Sequence, residues 1–244
     1  MNNLFVRKVE MNSMSHNMNK YPFDIECLRN FQSLTFEKKV SFFIGENGIG
    51  KSTFIEALAV ALGLNAEGGT QNFNFYTKQT HSDLYKYFKV IKGVRKPQTK
   101  FFLRAESFYN VASYMDEMAK DDVWTYYSYG HTSLHECSHG ESFMQVMTNR
   151  FSPNGLYILD EPEAALSPMR QLSLLVLIHD LSLAGSQFII STHSPILLSY
   201  RDGVIYDLDH HFEKVDFKET NIYQTYQLVL DNPEGMRHHL FDEK

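Results

Sequence analysis

Cysteine is nearly absent from this sequence. Cys27 and Cys137 are the only two in 244 residues, too few for a disulfide framework, and a reducing cytoplasm is the expected compartment. No apolar run approaches the roughly 18 residues of a membrane span. The opening MNNLFVRKVE lacks the apolar stretch of a secretory leader. The 7 prolines and 13 glycines are scattered, so no low-complexity linker or internal repeat divides the chain. The net charge of −6 argues against a protein coated in nucleic acid, yet leaves room for a local basic patch. What the chain does have is apolar substance. At 43% hydrophobic and 14% aromatic residues it is far from a disordered composition and can bury a sizeable core.

Strand and helix signals alternate, which predicts an α/β sheet with helices on its faces. Val40 to Ile44 reads as a buried strand ending at Gly45, followed by a helix from about Gly50 to Leu62 with Ile55, Leu58, Ala59 and Leu62 on one face. Phe101 to Leu103 is a second strand. Ser107 then caps a predicted helix bearing Phe108, Val111, Ala112 and Met115. Leu156 to Leu159 is a third strand. Ser167-Pro168 is a cap and first-turn pair for a helix stopping at Gly185, with Leu174, Leu177, Ile178 and Leu181 inward. Phe188 to Ile190 is a fourth strand.

Three strand ends carry chemistry. Gly45-Glu46-Asn47-Gly48-Ile49-Gly50-Lys51-Ser52 fits G-x-x-x-x-G-K-[ST] between a strand and a helix, the setting a phosphate loop requires. Its glycines let successive N–H groups face phosphate at a helix N-terminus. Lys51 would reach the β- and γ-phosphates, the Ser52 hydroxyl would ligate Mg²⁺, and Thr53 completes the nucleotide-binding run. The strand ending in Asp160-Glu161-Pro162 delivers carboxylates to the carboxyl edge of a parallel sheet. Asp160 would orient the metal and Glu161 would polarise the attacking water. The strand before Ser191-Thr192-His193 sets His193 just past its end, where alone it reads as a loop-capping histidine and, beside the other two motifs, would hydrogen-bond the γ-phosphate or position water.

In this order the three motifs resemble the ATP-binding-cassette class of ATPases. The resemblance implies a signature loop upstream of the acidic strand, and Ser138-His139-Gly140-Glu141-Ser142 stands there, with His139 in place of the first family glycine. It further implies two heads that sandwich two ATP molecules head to tail. Ser138, Gly140 and Glu141 would then act on the nucleotide of a second copy, helped by the dipole of the helix that carries Phe143, Val146 and Met147. The words FFIGENGIGKST, FFLRAESFYNVA, SLHECSHGESF, LYILDEPEAALSP and QFIISTHSPILL are similar to a stand-alone group of bacterial AAA-type ATPases. That group is related to the heads of chromosome-maintenance, recombination-repair and phage-resistance ATPases. Implied with it are a mixed, mostly parallel sheet flanked by helices, a small antiparallel arm and a helical signature subdomain over about 107–150 of one domain, 1–244. Where many such ATPases place a metal-touching Gln, this chain has Arg104-Ala105-Glu106. Glu106 is the expected stand-in at the metal, and Arg104 could instead meet phosphate. Only 32 positions separate Glu106 from Ser138, so no long coiled-coil arm fits between them.

Other features read more than one way. His131, His135, Cys137 and His139 have alternate spacing that could suit zinc, but His139 lies inside the proposed signature. Lys78 to Lys100 holds seven basic residues against Asp83, a net +6 that leaves −12 on the rest. Tyr85, Tyr87 and Phe88 interleave with that charge. They suit either a nucleic-acid surface or, more economically, a solvated antiparallel arm with its aromatics packed beneath. Tyr21, 24 positions before Gly45, is a candidate adenine platform, with Phe23 and Phe31 as rivals. The expectation is a Mg²⁺-dependent ATPase working as a homodimer with a further protein partner, nucleic acid being open. A nucleotide-gated binding module is the competing class. A membrane-importer subunit and a small-molecule kinase fit less well, the first for want of a span, the second because Glu161, His193 and the signature would go unused.

Overall fold

The computed structural model describes residues 3–12, 21–66, 68–69, 82–106, 108 and 139–241. In chain order its elements are β1 (Val6–Met11), α1 (Glu26–Arg29), β2 (Ser33–Thr35), β3 (Val40–Ile44), α2 (Lys51–Ala61), β4 (Phe88–Lys92), β5 (Thr99–Arg104) and α3 (His139–Arg150). There follow β6 (Gly155–Asp160), α4 (Pro168–Leu183), β7 (Gln187–Ser191), α5 (Pro195–Leu198), β8 (Val204–Asp207), β9 (Glu213–Val215), α6 (Asn221–Asp231) and α7 (Pro233–Phe241).

The larger sheet runs β5-β6-β7-β3-β8-β9, parallel except for its β9 edge. A smaller antiparallel sheet runs β2-β1-β4. The expected mixed, mostly parallel sheet with a small antiparallel arm is therefore what the chain forms. β3, β6 and β7 are buried at every position, because both faces of the sheet are covered, and such strands read as unbroken apolar runs.

Their side chains alternate between two cores. Phe42, Ile44, Leu103, Leu159 and Ile190 face the cluster that includes Phe143, Val146 and Met147 of α3 and Leu174 and Ile178 of α4. Phe43, Phe102, Ile158 and Ile189 face α2 and the small sheet through Phe54, Ile55 and Leu58. Each such apolar side chain fully withdrawn from water contributes about 1.5–3 kcal/mol. Gln187 joins the two sheets. Its Oε1 accepts from the N–H groups of Phe5 and Val6 at 2.8 and 2.9 Å, and its Nε2 donates to the Val6 carbonyl at 3.0 Å.

α4 begins as its sequence predicts, with Pro168 in the first turn and Ser167 in extended backbone at the cap position. The Ser167 hydroxyl nevertheless makes no capping bond. Leu174, Ile178 and Leu181 are buried and Leu177 half-buried. Of the helix predicted after Ser107 only Phe108 is described, buried with its ring 4.9 Å from that of Phe143. The other predicted residues there, with His131, His135, Cys137 and Ser138, lie outside the described residues. Among those described, no helix is long and apolar enough to cross a membrane.

Candidate functional site

The phosphate loop is shaped by its glycines. Gly50 has φ +109, and a Cβ on it would stand 2.4 Å from Ile25 Cγ2 and 3.0 Å from Cys27 Sγ. Only glycine tolerates both the left-handed backbone and that approach. Cys27 itself is buried, its thiol pushed up to about 12 by desolvation, so it is packing and not a nucleophile. Lys51 opens α2, and its Nζ donates to the carbonyls of Gly45 and Glu46 at 2.7 and 2.9 Å. Burial holds its pKa below the ordinary lysine value, opposed by Glu161, Asp209, Asp160 and Glu46. The Glu46 N–H donates to the Asp209 carboxylate, 2.9 Å at the nearer oxygen. Asn47, Gly48 and Ile49 form the turn between, and Ser52 and Thr53 continue the helix.

Strand register builds the metal edge. Arg104, Asp160 and Ser191 stand opposite one another at the carboxyl ends of β5, β6 and β7, so their side chains share a face. Asp160 Oδ1 accepts from Ser191 Oγ at 2.5 Å and from Ser52 Oγ at 3.3 Å. Arg104 Nε lies 3.2 Å from Asp160 Oδ2, and its Nη1 2.9 Å from Glu56 Oε2. Burial pushes the Asp160 pKa up, while Ser191, Arg104 and Ser52 pull it down. A hydroxyl and a carboxylate offer hard oxygen donors, the kind Mg²⁺ takes alongside substrate phosphates. The donor set fits that ion.

The water-activating edge lies one residue on. Glu161 holds φ 48, ψ 54, a left-handed conformation uncommon for a residue with a side chain. Its N–H donates to the Ser191 carbonyl at 3.1 Å, and its Oε1 is 3.8 Å from His193 Nε2. That separation is too long for a direct hydrogen bond. His193 Nε2 is buried and bonds to no described residue. Burial first, then the positive Lys51, hold its pKa below the ordinary histidine value, against Glu161, Glu46 and Asp209. The imidazole is thus neutral at pH 7 and can take or give one hydrogen bond. The His193 backbone N–H donates to Glu163 Oε1 at 2.5 Å, and burial raises the Glu163 pKa.

Other predicted residues are placed differently. Gly140 sits in the first turn of α3, where a Cβ would meet the Ala165 carbonyl and Arg170 Nη1 at 2.7 Å each. Glu141 pairs with Arg170 at 2.9 Å within the same chain. Glu106 is 83% exposed and lies 3.5 Å from Arg104 Nη2, so Arg104 is the side chain in contact with Asp160. Phe23 and Phe31 are core residues, whereas Tyr21 is 61% exposed. In the basic segment, Lys86 pairs with Asp83, Lys89 with Glu10, and Lys100 donates to the Leu62 carbonyl. Tyr85, Tyr87 and Phe88 pack on the second core, the arrangement of an antiparallel arm with aromatics beneath. Exposed cations remain at Lys92, Arg95 and Lys96 in and after β4.

Sequence reasoning missed Glu56, Glu163, Asp209 and Ser191 as partners of the site. Ser191 carried a usable signal, since it ends an apolar strand just before His193. The others have none that is local.

Two family models describe the chain. One for an AAA domain matches residues 16–128. Another, for the AAA domain assigned to the AbiEii toxin of Type IV TA systems, matches 132–199. No curated protein matches in sequence. Among solved structures, an inward-facing metal-chelate-type ABC transporter is 16% identical, with 92% of this chain and 88% of that one covered at a TM-score of 0.48. The SMC head domain from Thermotoga maritima is 14% identical, covering 84% and 94% at 0.43. A component of an ABC transporter complex from Clostridium perfringens is 18% identical, covering 98% and 99% at 0.47. Both matched segments carry an AAA-domain description, the phosphate loop falling inside the first and the acidic strand end inside the second, so the chain is similar to AAA-domain P-loop NTPases along both.

Proposed function

We propose that this chain binds ATP with Mg²⁺ and hydrolyses it to ADP and phosphate as a head-to-tail homodimer. The observation that carries this reading is the convergence of three strand ends. Ser52, next to Lys51, is 3.3 Å from Asp160, and Glu161 is 3.8 Å from His193.

Lys51 and the amides of Gly45 to Thr53 hold the phosphates, and Ser52 and Asp160 hold the metal. Bound there, Mg²⁺ would neutralise charge on the phosphate oxygens. Glu161 takes a proton from water as its oxygen attacks the γ-phosphorus, the bond to the β–γ bridging oxygen breaks, and ADP leaves with that electron pair. Neutral His193 offers its ring to the γ-phosphate or the water. Ser138, Gly140 and Glu141 reach the nucleotide of the second copy, for which Glu141 exchanges Arg170 for the interface. Glu106, 3.5 Å from Arg104 Nη2, stands in at the metal for the Gln of related ATPases. The one domain, 1–244, with its signature subdomain over about 107–150, works in the cytoplasm.

If the site is shared, hydrolysis should rise more steeply than linearly with protein concentration. A strictly linear rate removes the trans arrangement.

A second reading, an ATP-gated binding module whose hydrolysis only resets a partner, rests on the exposed Lys92, Arg95 and Lys96. The second family model, described for a toxin–antitoxin system, favours a cognate protein as that partner; DNA repair or phage defence is the setting proposed for the ATPase. Nucleic-acid binding that falls steeply with salt and is lost on reversing those charges would favour DNA instead.

A further inference from the structure

β5 is apolar through Phe101, Phe102 and Leu103 and then ends in a single cation, Arg104. Parallel register sets Arg104 against Asp160, and α2 brings Glu56 to its other side. Ser52 and Glu56 are four positions apart on α2, one helical turn on the same face. The guanidinium therefore lies between the carboxylate that would support the metal and a second carboxylate below the metal's serine.

The two contacts differ in kind. Arg104 Nη1 makes a directed bond to Glu56 Oε2 at 2.9 Å. Arg104 Nε is 3.2 Å from Asp160 Oδ2, yet this buried nitrogen has no hydrogen-bond partner among the described residues. It is a charge contact without alignment, easier to exchange than a two-pronged pair. Glu56 is itself anchored, accepting the Ser82 N–H at 3.3 Å through its other oxygen. Arg104 is thus tied to Glu56 and leans on Asp160.

We propose that Arg104 is a resident counter-ion for Asp160 that competes with the divalent cation, and that Glu56 draws it aside, so the pair sets the Mg²⁺ concentration at which nucleotide is held. This rests on the ATPase reading. A fixed positive charge on the carboxylate repels an incoming dication, whereas a carboxylate gripping that charge from behind relieves the repulsion.

The test is binding of a fluorescent ATP analogue to the full chain, titrated with MgCl2 and repeated in EDTA. Arg104→Gln should lower the half-saturating Mg²⁺ by about tenfold or more, the scale of removing one nearby charge. Arg104→Lys, which keeps the charge, should stay near the unaltered chain. Glu56→Gln should raise the Mg²⁺ requirement, because Arg104 then loses its directed bond and, with only the exposed Glu106 beside it, rests more fully on Asp160. A general loss of fold would move Arg104→Gln and Glu56→Gln the same way, so opposite shifts support the proposal and parallel shifts overturn it. If Arg104→Gln needs as much Mg²⁺ as before, or more, the proposal falls, and weaker binding in EDTA as well would make Arg104 a phosphate ligand. No binding by the unaltered chain at any Mg²⁺ overturns the ATPase reading and this inference together.

Discussion

Glu163 holds the backbone of His193: the His193 N–H donates to Glu163 Oε1 at 2.5 Å. Glu163 lies two residues past Glu161 in the 3-10 turn Pro162–Ala165, so one short turn carries both the candidate base and the clamp on the histidine loop. The ring of His193 and the carboxylate of Glu161 are thereby registered to each other through backbone, not through a bond between their side chains. Charge assistance makes such a clamp stronger than an amide–carbonyl bond.

Removing the clamp should uncouple placement from binding. Glu163→Ala is expected to cut turnover by roughly ten- to a hundredfold, the scale of a lost hydrogen bond to a charged group. ATP affinity should be largely kept, since Lys51 and the loop amides are untouched. Glu163→Gln retains an acceptor and should recover much of the rate. Measured kcat and Kd for the three proteins decide it; equal losses in both constants from Glu163→Ala would make Glu163 a fold residue only.

Glu161 invites two substitutions that separate its chemistry from its backbone strain. Glu161→Gln removes the proton acceptor at nearly constant shape and should accumulate an ATP-bound dimer, visible by size-exclusion chromatography with ATP and Mg²⁺. Full activity in that variant would remove Glu161 as base. Glu161→Gly should also be inactive yet stabler by roughly 1 kcal/mol, because glycine adopts φ 48, ψ 54 without strain. At this chain length that is a rise of about 2–4 °C in Tm.

What could be read from sequence was what is encoded locally. β3, β6 and β7 announce themselves as apolar runs, and the glycines from Gly45 to Gly50 mark the loop because their positive φ values demand glycine. The Ser167-Pro168 start of α4 was legible for the same reason. Pairings across distance were not. Gln187 looks like an ordinary strand-opening polar residue, yet it binds a strand 181 positions away. Arg104 meets Asp160 only because β5 and β6 align in one register out of several possible, and residue types alone do not fix register. Glu163 reads as surface acid until β7 delivers His193 to it. Glu106 is expected at the metal from its place in the family pattern; it is exposed 3.5 Å from Arg104 Nη2, while Arg104 is the side chain beside Asp160, a contact that only strand register reveals.

Gln187 offers a test of how the two sheets are joined. Gln187→Leu keeps bulk but leaves the buried N–H groups of Phe5 and Val6 and the Val6 carbonyl without that partner. Each stranded group costs about 1–3 kcal/mol, so a loss of several kcal/mol is expected in denaturant unfolding. Limited proteolysis should cut near β1 first. An unfolding midpoint unchanged by the substitution would mean that β1 is held by its β2 and β4 pairings alone.

The lowered pKa of His193 gives stability a direction with pH. Folded, the imidazole resists protonation because it is buried and because Lys51 is near, with Glu161, Glu46 and Asp209 opposing. The unfolded chain takes up that proton at the ordinary value, about 6.5. Below that pH the unfolded state binds more protons, so acidification favours unfolding until the folded imidazole is protonated too. Above it the group contributes no slope. Asp160 and Glu163, whose pKa values burial raises, act in the opposite sense, since the folded state takes up their protons first. A single stability curve therefore mixes the signs, and the difference between two proteins separates them. His193→Gln removes only the histidine part. Its stability relative to the unaltered chain should rise as pH falls from about 7 to about 5 and be flat above 7. Denaturant unfolding at several pH values measures this, and parallel curves for the two proteins would show that His193 titrates alike folded and unfolded.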